Sequence, residues 1–284
     1  MKNIHAIRVV LFIVILVLLT SFQDVALTTI ENQGVKTFLI MWIPGISAIL
    51  VALFTKLSLK RFGWRISIKW ISVGWMLPIL YGTIAYSLVW VFGLGDMPNP
   101  TFLERARLTL GMATDSDTFI IVAAFFYITV VCLLPNMLFC LGEELGWRGF
   151  LVPELTKWIS LKNAGWVSGV IWAFWHFPAI ISGAYAVEDV PLWYQIFCFT
   201  LLVISTAVIL AFLRIKSNSI WPAVVFHAVH NGVIQRFFDR ITIDNGLTYL
   251  FIGEFGIILA TVTSIFAVYY YNCSRKIEPL RFKM

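Results

Sequence analysis

Two adjacent glutamates, Glu143 and Glu144, lie in the stretch Gly142-Glu143-Glu144-Leu145-Gly146-Trp147-Arg148-Gly149-Phe150, within an otherwise apolar run. His176 stands in a second such run, Val170-Ile171-Trp172-Ala173-Phe174-Trp175-His176-Phe177-Pro178, and His227, His230 and Asn231 stand in a third. A carboxylate in a desolvated setting can act as a general base on water at neutral pH. Imidazole and amide donors can stabilise the oxyanion that follows attack on a carbonyl. The same types could instead ligate Zn²⁺, through Glu143, His176 and His227. The chain lacks His-Glu-x-x-His, however, and no cofactor is expected. On a helix, Glu144 and Arg148 are i,i+4 neighbours in the favourable order. Glu143 then points about 100° away from that pair, free to face a cavity. His227 and Asn231 share a face, and Trp172 lies one turn before His176. Each residue also has a plainer reading. Glu144–Arg148 fits a structural ion pair, His176 a hydrogen-bonded core histidine, and His227 interhelical glue. His230, at the edge of the His227 face, fits either role.

The elements that must hold these residues are membrane helices. Of 284 residues, 60% are apolar and 13% charged, and the mean hydropathy is +0.87. Ordinary soluble domains are about 45–50% apolar and about 25% charged. Uncharged runs recur near 7–23, 37–54, 70–93, 119–152, 163–185, 192–213, 219–238 and 247–271. A bilayer core of roughly 30 Å needs about 20 such residues per helix. The expectation is an all-α polytopic membrane protein of about eight spans, with the lipid bilayer as its surroundings. Residues 1–284 read as one membrane domain. The first run, short and preceded by Lys2 and Arg8, also fits a signal peptide.

Sixteen Lys and Arg fall at 2–8, 56–69, 148–162, 214–216 and 275–283, and five at 36, 105–107 and 236–240. This asymmetry predicts both termini in the cytoplasm. It also accounts for the net charge of +6 through short topogenic loops, so no nucleic acid is expected as a partner. Cys132, Cys140, Cys198 and Cys273 form no Cys-x-x-Cys pair and read as buried thiols. Residues 98–118 permit an interfacial helix around 101–110, a surface loop being the simpler reading. At about 1.5 Å per residue, Glu143, His176, His227 and Asn231 sit roughly 10–18 Å from the basic ends of their runs. An ionisable group at such depth costs about 2.5–3.5 kcal/mol on insertion scales. One shared site, in a cavity open toward the basic loops, accounts for all of them.

At these residues the chain resembles the CAAX protease and bacteriocin-processing (CPBP, or Abi) family of intramembrane proteases, similar to type II CAAX prenyl endopeptidases. Glu143-Glu144-x-x-x-Arg148 matches the first family motif, Trp172-x-x-x-His176 the second and His227-x-x-x-Asn231 the third, in family order, which implies a catalytic core over 115–240. The second motif more usually begins with Phe. The resemblance implies hydrolysis of a peptide bond in a membrane-associated substrate, either prenylated or a leader peptide. Glu143 would activate water with help from His176, His227 and Asn231 would form the oxyanion hole, and Glu144 and Arg148 would support them. Although the family is often termed metalloprotease, its glutamate-protease mechanism needs no metal. The Glu-Glu-Leu-Gly-Trp-Arg-Gly-Phe-Leu stretch is typical of bacterial members, which implies a bacterial plasma membrane. Two other classes stand beside this reading. A proton-coupled transporter would show paired interrupted helices in two related halves, and no such symmetry is visible. A catalytically idle immunity or scaffold protein would be expected to lack one of Glu143, His176, His227 or Asn231, and all four are present.

Overall fold

The computed structural model describes residues 2–275, with backbone alone at 2, 3 and 24–26. Lys276, Arg281 and Lys283, which entered the charge asymmetry, lie outside the described residues. The helices are α1 (Lys2–Ala26), α2 (Gln33–Phe54), α3 (Ile68–Val91), α4 (Pro100–Leu110), α5 (Asp117–Phe126) and α6 (Leu133–Glu144). They continue with α7 (Val152–Leu155), α8 (Leu161–Ile181), α9 (Leu192–Ser217), α10 (Trp221–His230), α11 (Asp239–Ile241) and α12 (Ile257–Ser274). Apart from two isolated backbone bridges, Trp64–Ser219 and Asp96–Ile243, the described residues form helices and their connections. The protein is an all-α polytopic membrane protein.

Six helices, α1, α2, α3, α8, α9 and α12, are each long and apolar enough to cross a bilayer. Outward-facing residues at helical spacing mark their lipid side: Val10, Val14 and Val17 on α1, and Met76, Leu80, Ile84 and Leu88 on α3. α9 is buried nearly all round from Leu202 to Ile215 and forms the centre of the bundle. α8, α10 and α12 all pack against it.

Two runs depart from straight spans. Run 119–152 bends by 48° between Asp117–Val131 and Leu133–Leu155. Pro135 explains the position of the break: it has no N–H to give the Val131 carbonyl, and its ring would clash there. Run 219–238 is helical but changes from α10 to a π-helical stretch, Asn231–Phe238, and then to α11. Two further π stretches are Tyr127–Val131, just before the bend, and Leu145–Leu151, which follows Glu144 directly. Such stretches are rare and frequently occur at functional sites.

The stretch 101–110 is a helix rather than the simpler surface loop. Asn99 accepts from the Thr101 N–H at 3.0 Å, Pro100 occupies the first turn and Gly111 ends α4 in the left-handed region. Phe102 anchors it edge-on against Phe237.

Two glycines fix the height of the glutamate pair. A Cβ on Gly142 would lie 2.7 Å from the backbone of Met41 and Trp42, and one on Gly146 2.5 Å from Pro44. Only glycine lets α2 press this closely on the helix carrying Glu143 and Glu144, as small residues four apart do at membrane helix interfaces.

Candidate active site

Glu143 (3% exposed) leaves α6 near its C-terminal end. Its Oε2 accepts from Trp172 Nε1 at 2.8 Å and, more weakly, from Trp147 Nε1 at 3.3 Å. Two indoles from two helices therefore hold one carboxylate oxygen of a residue inside the apolar core. Trp172 is the centre of the cluster. Its ring lies 6.1 Å from His176, 5.5 Å from His227 and 6.3 Å from Trp147, with the Arg148 guanidinium 4.2 Å over its face.

Glu144 faces away from the cavity, as its spacing to Arg148 requires. Its Oε1 meets Arg148 Nη1 at 3.0 Å and also His227 Nδ1 at 2.9 Å. Glu144 and Arg148 are both fully buried, so the ion pair lies where removing one partner strands the other. The Glu144–His227 bond joins the first motif to the third.

His176 Nδ1 lies 3.0 Å from the Trp172 carbonyl. A carbonyl only accepts, so Nδ1 carries the proton and Nε2 is the free ring nitrogen, an acceptor in the neutral ring. His227, with Nδ1 on a carboxylate, follows the same rule: its Nε2 donates only when the ring is doubly protonated. Asn231 opens the π stretch and makes one long contact, Nδ2 to Cys140 Sγ at 3.8 Å.

Glu143, His176, His227 and Asn231 all line one cavity of about 290 Å³. Phe199, Leu202, Val203 and Leu210 supply much of its apolar wall. It does not open toward the basic loops, as the sequence suggested. That end is closed by Trp147, Phe150, Arg148 and Arg214, each at most 1% exposed. The lining instead reaches Gln23 at the end of α1, Thr37 in the first turns of α2, Ala184 beyond α8 and Glu254 before α12. Thr37 and Ala184 are solvent-accessible, which places the mouth at the opposite end of the bundle.

A Zn²⁺ site at Glu143, His176 and His227 would need those donors to converge on one point. Among the described residues, no three His, Cys, Asp or Glu side chains are grouped to hold a metal ion. Glu143 Oε1 and the Nε2 atoms of His176 and His227 are the donor atoms these hydrogen bonds leave open.

Sequence reasoning missed a second polar cluster on the same wall. His230 bonds through Nδ1 to the Tyr81 hydroxyl and through Nε2 to Glu254 Oε1 at 3.0 Å. Glu254 Oε2 accepts from Tyr185 Oη and from Gln235 Nε2 at 3.1 Å. Glu254 interrupts the eighth apolar run as Glu143 interrupts the fourth, so the cost of burying a charge was the signal available there. Trp172 showed in sequence only as a packing neighbour of His176.

Residues 118–233 match the family model described as type II CAAX prenyl endopeptidase Rce1-like. A curated relative, CAAX prenyl protease 2 of Methanococcus maripaludis, is 34% identical over 93 residues, covering 31% of this chain and 34% of that protein. The match thus spans about a third of the relative's length. The family segment contains all three motifs and ends before Arg236 and Glu254. Over residues 118–233, which hold all of the proposed site residues, the chain is thus similar to the Rce1-like type II CAAX prenyl endopeptidases.

Proposed function

We propose that the protein is an intramembrane endopeptidase acting on a membrane-associated peptide, prenylated or carrying a leader sequence. The observation that carries this reading is the meeting of Glu143, His176, His227 and Asn231 on one cavity inside an apolar bundle. With Oε2 held by Trp172 and Trp147, the Glu143 carboxylate keeps Oε1 for a water. Glu143 takes the water's proton as the oxygen attacks the scissile carbonyl, and His176 Nε2 accepts the water's second hydrogen bond. The resulting oxyanion receives hydrogen bonds from Asn231 Nδ2 and from His227 Nε2–H. His227 serves there as an imidazolium, with Glu144 as its counter-charge. The protonated Glu143 then passes its proton to the departing amine, which breaks the C–N bond and restores the carboxylate.

The test is Glu143→Gln in purified, lipid-reconstituted protein. It should insert normally and lose hydrolysis of a peptide substrate by a factor on the order of 10² or more. Undiminished hydrolysis would sink the mechanism. The mechanism also uses no metal, so chelators should leave the wild type active. Stoichiometric zinc whose removal and return switches activity off and on would replace this reading with a metalloprotease.

A further inference from the structure

The connection between α2 and α3, residues 55–67, joins two helices that cross the bilayer and so lies at one surface of the membrane. With the start of α3 it carries Lys56, Lys60, Arg61, Arg65 and Lys69, all exposed, and no acidic residue occurs between Glu31 and Asp96. Among the described residues no carboxylate pairs with any of these cations. Leu59, Trp64, Ile66 and Ile68 are interspersed with them and are exposed too. Water offers no gain for such apolar side chains, whereas the headgroup zone of a bilayer takes cations and apolar groups together, tryptophan especially.

The inner side of the same loop is built into the closed end of the bundle. Phe62 is buried and lies 6.3 Å from Phe150. Gly63 is in the left-handed region, and its carbonyl accepts from the Ile220 N–H at 2.7 Å. A Cβ there would come 2.7 Å from Arg214 Cζ, so the loop rests directly on that guanidinium. Arg214 is fully buried and donates to the carbonyls of Arg61 and Arg148 at 3.0 and 2.9 Å. Among the described residues it pairs with no carboxylate. The next loop feels the same crowding. Burial pushes the Lys157 ammonium below its usual range against the pull of Glu154, and the Arg61 charge pushes the same way. Glu154 itself is engaged by His5 and Arg8. A buried cation without a counter-ion is costly, and like charges above it add to the cost. Charge asymmetry across the membrane would be met by cations anywhere in the loop, and gives no reason to seat them over a buried arginine.

We propose that residues 56–69 form a docking surface for anionic phospholipid headgroups, whose phosphates supply the counter-charge that the closed end lacks. Lys60, Arg61 and Arg65 hold the phosphates, while Trp64, Ile66 and Ile68 enter the acyl boundary. Because Arg214 ties the loop to the Arg148 carbonyl, lipid held there steadies the stretch that carries the Glu144–Arg148 pair. The surface stands whether or not the protein is a peptidase.

The test titrates the full-length protein in detergent with phosphatidylglycerol or with phosphatidylcholine, and reads lipid affinity by native mass spectrometry. The wild type should prefer phosphatidylglycerol by a factor on the order of 10², from roughly fivefold per cation. The triple variant Lys60→Gln, Arg61→Gln, Arg65→Gln should lose most of that preference, and since these side chains are exposed it should fold. Lys36→Gln, Arg105→Gln, Arg240→Gln removes the same charge from the other end of the bundle and should keep it. Thermal unfolding in nanodiscs reads the counter-charge. Replacing part of the phosphatidylcholine by phosphatidylglycerol should raise the wild-type melting temperature by several degrees and leave that of the loop variant where it was. Inorganic phosphate added to phosphatidylcholine nanodiscs should not raise it. Equal affinity for both lipids, a preference that survives the loop variant, or one lost equally in the control would overturn the docking surface. A wild-type melting temperature that ignores phosphatidylglycerol would overturn the counter-charge role, and one raised as far by inorganic phosphate would overturn the assignment to lipid.

Discussion

One oxygen, Glu144 Oε1, serves both Arg148 and His227, and Glu144 Oε2 has no hydrogen-bond partner. Arg148 likewise leaves Nε and Nη2 unpaired and rests its guanidinium on the Trp172 ring. Cation–π contact in a desolvated site is worth about 2 kcal/mol, so Trp172 compensates in part for Arg148's missing bonds. The same indole donates to Glu143, which makes it the joint between ion pair and proposed base. Trp172→Phe separates these roles: the ring stays, and the donor to Glu143 is lost. A hydrogen bond to a charged group is worth about 1.5–3 kcal/mol, so kcat should fall roughly 10- to 100-fold in a folded protein, with KM little changed. An unchanged kcat would show that Glu143 does not depend on this donor. Much of the cluster was legible in the sequence because charge inside an apolar run is conspicuous. Glu143, Glu144, Arg148, His176 and His227 all announced themselves that way. Trp172 did not, since a tryptophan in a membrane helix has ordinary reasons to be there, and its partner lies 29 residues away in sequence.

At the scale of the helices, α1 is part of the site. His5 Nδ1 meets Glu154 Oε2 at 2.7 Å, and Arg8 Nε donates to Thr55 Oγ1 at 3.0 Å, tying down its first turns. Thr20 accepts from Trp175 Nε1 at 2.8 Å near its far end, and Thr20 and Gln23 line the cavity. Between them Phe12, fully buried, packs on Trp147 and Phe150 at 5.8 and 5.3 Å. Phe12→Ala should therefore destabilise the protein by about 3 kcal/mol and loosen the cavity wall. Val14→Ala, on the exposed side of the same helix, should be close to neutral. Thermal unfolding of both variants in one detergent checks this, and equal melting points would mean that α1 packs otherwise. Hydropathy located α1 but could not show which of its faces is buried, because a helix between lipid and protein is apolar on both sides. The π stretches were hidden for a related reason. Reading by 3.6-residue periodicity assumes α geometry, and residues 145–151 and 231–238 do not follow it. The bend in the fourth run was written in Pro135, which was available to read.

For the whole molecule, the two ends of the bundle differ in charge and in access. The basic loops 56–69 and 155–162 lie at the end closed by buried aromatic and arginine side chains, and the mouth lies at the other. The bias of positive charge predicts that the closed end faces the cytoplasm. Single cysteines placed at Lys60 and at Glu188 in a cysteine-free variant measure this. A membrane-impermeant maleimide added to intact cells should label position 188 and spare position 60, and the opposite pattern would invert the molecule. The location of the mouth then has a pharmacological consequence. In a plasma membrane, and with the closed end inward, a blocker of this cavity would meet its target without uptake. A peptide mimic bearing a permanent charge, barred from the cell by the bilayer, would still silence the protein, and cellular efflux pumps could not lower its concentration there.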